Sequence, residues 1–101
     1  MNAASKELFG VLRETRAFLA LPTNDFVHSG WPDSSTALAE MDRYISEIEN
    51  DKLSSRFRLE LLFAPTGAIQ EVSVYSGWGN DFLTLAERFD CALVRCYGQR
   101  T

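Results

Sequence analysis

Histidine is nearly missing from this chain: His28 is the single one among 101 residues. That scarcity leaves most zinc sites without ligands, and any serine or cysteine nucleophile would have to share that one imidazole as its base. Cysteine is scarce too. Cys91 and Cys96 are five apart, which on a helix sets them about 140° apart around the axis, too divergent for a disulfide or a shared metal. Their apolar context reads as two buried, reduced thiols. No apolar run approaches the roughly 20 residues needed to cross a bilayer. The opening stretch MNAASKELFGVLRETRAFLALP lacks a basic region followed by an apolar block, so no signal peptide is expected and the expected location is cytoplasmic. Neither G-x-S-x-G nor a glycine-rich phosphate cradle occurs. No catalytic residue, cofactor or metal is assigned on this reading.

Basic residues are the other local scarcity. Between residues 25 and 51 stand Asp25, Asp33, Glu40, Asp42, Glu47, Glu49 and Asp51 against Arg43 alone, a local charge of −6 in a chain whose total is −4. Nucleic-acid binding wants the opposite sign over a broad face and is not expected. Glu47, Glu49 and Asp51 fall at the end of an expected helix, where the helix dipole favours cations. A carboxylate cluster kept there points to a partner of basic character, although plain solubility explains it more simply.

What remains is ordinary for a globular domain: 46% hydrophobic and 24% charged residues, in a length that suits one domain covering 1–101. Leu8, Val11, Leu12, Phe18 and Leu19 recur at helical spacing, which predicts a helix over about 5–20 with Ser5 as its cap and Pro22 as its stop. Leu38, Met41, Tyr44, Ile45 and Ile48 predict a second over about 33–49. Phe82, Leu85, Phe89, Leu93 and Cys96 predict a third over about 80–97. Between the last two, SRFRLELLF alternates, with Phe57, Leu59, Leu61 and Phe63 on one face and Arg56, Arg58 and Glu60 on the other. That is the signature of a half-buried strand over about 55–63. APTGA supplies turn chemistry with Gly67 free to take positive φ, and the β-branched run 68–76 pairs back as a hairpin. A short extra strand near 25–29 is a further expectation. The fold expected is therefore α+β, an antiparallel hairpin packed against three helices. A βαββαβ arrangement behind an added N-terminal helix is the alternative, if ALVRCY is a strand.

One short pattern occurs twice. SGWPDSSTALAE, Ser29–Glu40, returns as SGWGNDFLTLAE, Ser76–Glu87. In each an Asx residue follows the tryptophan by two, Asp33 and Asn80, placed to cap a helix. The pattern reads as one way of starting a helix used twice, with Trp31 and Trp78 as packing residues whose edges remain open to contact.

Two functions fit this sequence. The first is a non-catalytic protein that binds another macromolecule, as monomer or homodimer, through an acidic, aromatic-rimmed face made from Glu47, Glu49, Asp51, Trp31, Trp78 and His28. The second is a small-ligand binding protein or enzyme, with a pocket between the hairpin and the Trp31 and Trp78 loops.

Overall fold

The structure, a computed structural model, describes residues 1–52 and 55–98. The described residues form five helices: α1 (Ala3–Leu19), α2 (Ser34–Glu49), α3 (Arg56–Phe63), α4 (Ala68–Ser76) and α5 (Gly79–Tyr97). There is no strand among the described residues. The expected α+β fold is thereby overturned, and so is the βαββαβ alternative. The segments 55–63 and 68–76 pair as two helices rather than two strands, and ALVRCY continues α5. Residues 25–29 form a turn in which the Asp25 carboxylate accepts from the Val27 amide at 2.9 Å and the Ser29 amide donates to the Phe26 carbonyl at 3.0 Å.

The reason for the error lies in α3 itself. Its apolar residues satisfy both periods, two for 57, 59, 61 and 63, and three to four for 59, 62 and 63. The structure buries Leu59, Leu62 and Phe63 and leaves Phe57 and Leu61 63% and 53% exposed. Leucine, arginine and glutamate are good helix formers, and the Ser55 hydroxyl caps the first turn by accepting from the Arg58 amide at 3.4 Å. In α4 the β-branched residues are overruled by packing, because Ile69, Val72 and Ser73 make one helical stripe against the core.

The turn between them was read correctly as a turn and wrongly in detail. Thr66 takes the left-handed conformation, at φ 67°, while Gly67 caps α4 at φ −74°. Glycine is needed at 67 for space. A Cβ there would stand 2.6 Å from the Leu61 carbonyl oxygen and 2.8 Å from that of Ala64.

α1 starts earlier than expected, with Asn2 as its cap accepting from the Ser5 amide at 2.9 Å. It lies at the centre of the fold, packed on α2 along one side and on α5 along another, while α5 in turn carries α3 and α4. Leu8, Val11, Leu12 and Leu19 of α1 meet Met41 and Ile48 of α2 and Phe89 and Leu93 of α5 in a single core. Each such side chain contributes about 1.5–3 kcal/mol on burial. Phe63 stacks on Phe89 at 4.0 Å between ring centres, which fixes α3 to α5. Cys91 is exposed and Cys96 half-buried, against the expectation of two buried thiols.

The repeated pattern is used in two registers. Gly30 and Gly77 both take left-handed φ, 84° and 87°, and both tryptophans are buried. Asp33 caps α2 through the Thr36 amide at 2.9 Å. Asn80 does not cap α5, which starts at Gly79 with Trp78 in the cap position. Gly77 closes α4, and the Trp78 amide donates back to the Ser73 carbonyl at 2.9 Å, so the chain passes from α4 to α5 without a loop.

Candidate functional site

The six residues singled out from sequence do not come together. Trp31 packs at the start of α2 with its indole N–H on Glu40 Oε1 at 3.3 Å. Trp78 stacks on Phe18 and donates to Asn24 Oδ1 at 2.8 Å. His28 lies exposed on the Asp25–Ser29 turn, its ring stacked on Tyr75 at 4.2 Å. Glu47 and Glu49 sit at the other end of α2, about 20 Å or more along the axis from its start at about 1.5 Å per residue, and Asp51 lies just past that end. They also diverge. Glu47 pairs with Arg43 at 3.7 Å, and Asp51 with the N-terminal amine of Met1 at 3.3 Å. Glu49 turns towards α1, beside Phe9 and Arg13. Much of the acidity of this segment is met internally, since Asp42 receives both Arg16 Nε and, at 3.1 Å, Nη2. Among the described residues no three His, Cys, Asp or Glu side chains converge as metal ligands. No helix there is long and apolar enough to cross a membrane.

A different site stands out. α2 rests on α1, and the α3–α4 pair rests on α5, so a cleft runs between α2 and that pair. It measures about 400 Å³ and is shallow and broadly open to solvent, lined by Ser29, Gly30 and Trp31 from the loop before α2, Glu40 and Tyr44 from α2, Arg58, Leu61 and Leu62 from α3, and Ala68 from α4. The loop reaches it by running along α4: the Asp25 amide meets Ser76 Oγ at 2.9 Å, His28 meets Tyr75, and the segment ends against Ala68.

Besides Ser29, whose hydroxyl is engaged by the Phe26 carbonyl and the Trp31 amide, three polar side chains line this largely apolar cleft. Glu40 and Tyr44 are one turn apart on α2 and so share a face. Glu40 binds the Trp31 indole through one oxygen, and its second oxygen has no partner among the described residues. The Arg58 side chain makes no hydrogen bond or ion pair with a described residue, and neither does the Tyr44 hydroxyl. Burial pushes the Tyr44 hydroxyl above its usual pKa; the Glu40 carboxylate adds to this and the Arg58 guanidinium opposes it. Opposite charges thus act on one phenol without closing on each other. A larger hollow of about 590 Å³ lies beside residues 20–34, but Asp25 and Asp33 there are already committed to backbone amides.

Sequence reasoning missed this trio. Tyr44 was placed in the apolar stripe of α2, and Arg58 on the solvent face of a strand. A strand over 55–63 would put Arg58 and Leu61 on opposite faces; only the helical reading turns them to one side.

Comparison with family models, with curated proteins and with solved structures finds no match.

Proposed function

We propose that this protein binds a small organic ligand in the cleft between α2 and the α3–α4 pair. The observation that carries this reading is the convergence of Glu40, Tyr44 and Arg58, each with hydrogen-bonding capacity to spare, on one apolar cleft of a size usual for small-molecule sites. Its test is a chemically diverse metabolite library scored by the two indole N–H signals in nitrogen–proton correlation spectra. A ligand in the cleft shifts the Trp31 signal and leaves that of Trp78 in place. A library that moves neither signal at millimolar concentration defeats the reading.

A second reading, contact with another macromolecule, is favoured by Phe57 and Leu61, exposed one turn apart on α3, with Leu61 also lining the cleft. Its partner surface then lies on α3 rather than on the carboxylates of α2. Capture with wild-type protein, with Phe57→Ser/Leu61→Ser and with charge reversal at Glu47, Glu49 and Asp51 separates the two locations. A partner lost only on charge reversal restores the acidic segment as the site.

A further inference from the structure

The reading of the cleft as a ligand site leaves open what the ligand is, and the disposition of charge narrows it. One wall presents an anion, Glu40. The other presents a cation, Arg58. The two do not form an ion pair with each other, although both line the cleft with Tyr44 and act on its hydroxyl. A purely anionic ligand would meet Glu40 unfavourably, and a purely cationic one would meet Arg58 in the same way. A ligand carrying both charges satisfies both walls. Apart from Ser29, whose hydroxyl is engaged by the Phe26 carbonyl and the Trp31 amide, the remaining lining is apolar: Gly30, Trp31, Leu61, Leu62 and Ala68. That surface suits a hydrocarbon or aromatic body rather than a sugar or a polyphosphate.

We infer that the cleft between α2 and α3 binds a free amino acid with a large apolar side chain, its carboxylate on Arg58 and its ammonium on Glu40. The Tyr44 hydroxyl donates to the same carboxylate, and the side chain lies along Trp31 and Leu62. The inference rests on the small-ligand reading of this cleft and adds to it the chemical class.

The experiment compares three probes on the wild-type protein: L-phenylalanine, 3-phenylpropanoate, which lacks the ammonium, and phenethylamine, which lacks the carboxylate. The readout is again the Trp31 indole signal, which reports directly because its partner is Glu40, with Trp78 as the unmoved reference. L-phenylalanine is expected to bind about fivefold more tightly than either analogue, the size fitting ion pairs in a site this open to water. Arg58→Gln is expected to abolish its advantage over phenethylamine, and Glu40→Gln its advantage over 3-phenylpropanoate. Equal or tighter binding of either single-charge analogue overturns the inference, as does silence of the Trp31 signal with all three probes. If the amino acid is silent while another library member shifts Trp31 alone, the cleft stands as a ligand site and only its assigned class falls. The analogue series needs no variant, so misfolding of either substitution does not protect the inference.

Discussion

Gly67 holds its place for lack of a side chain. Two carbonyl oxygens from the end of α3 close over its Cα, and a methyl group there would lie 2.6 Å from the nearer. Backbone cannot yield as a flexible side chain does, so Gly67→Ala is expected to destabilise the fold by about 1–3 kcal/mol in urea denaturation. An unchanged midpoint would show that the turn relaxes freely. This requirement was hidden in the sequence, where APTGA announces a turn but not which residue goes left-handed. Thr66, β-branched and at positive φ, is the residue a local rule would choose last. Asp33 was legible for the opposite reason: its capping bond reaches only three residues along the chain. The cleft residues belong with Gly67. Nothing near Arg58 in sequence says that Glu40 lies across from it.

Among the elements, α1 is tied to its neighbours by three ion pairs that cross between helices: Arg16 to Asp42 of α2, Glu14 to Arg88 of α5, and Glu7 to Arg95 of α5. Hydrogen bonds from Arg88 hold the Glu14 carboxyl below its usual 4.5, and those from Arg16 hold Asp42 below its usual 3.8. Both folded values are depressed, so the stabilisation is complete above the ordinary carboxylate range. It is lost as pH falls through the lowered values. These side chains are about half exposed, which limits each pair to at most about 1 kcal/mol. Urea midpoints are therefore expected to be flat from neutral pH down to about pH 5 and to fall below about pH 4, with less of a fall for Glu14→Gln/Asp42→Asn. A double variant whose midpoint falls just as steeply would remove these pairs as the cause. The helices they join were readable because helical spacing repeats over sixteen or more residues, although the end of α5, ALVRCY, also admitted a strand. α3 and α4, with eight and nine residues, are too short for spacing to choose between helix and strand. Their identity is set by what they pack on, α5 and each other, which local spacing does not register.

For the molecule as a whole, the order of layers sets the order of local stability. α1 and α5 are covered on several sides, whereas α3 turns Phe57 and Leu61 to solvent over its eight residues. Native-state hydrogen exchange is expected to be slowest in the middle of α1 and α5 and fastest, among the helices, in α3. Protection of α3 equal to that of α5 would mean that the two open only as one unit. The cleft is a product of this layering: two outer parts stand on different helices of the central pair and do not close on each other. No property of α2 or α3 taken separately announces it.

The central pair is also built from the first and last of the five helices. During synthesis α1 can find α2 at once, across a connection of fourteen residues, 20–33. The apolar flank of α1 that α5 will cover has no such nearby partner. Some sixty residues of chain must pass before α5 begins, so that flank stays uncovered until α5 has been made. A helical protein of this size would ordinarily assemble from local contacts and quickly. Here one of the two main contacts of α1 joins the helices most distant in the chain.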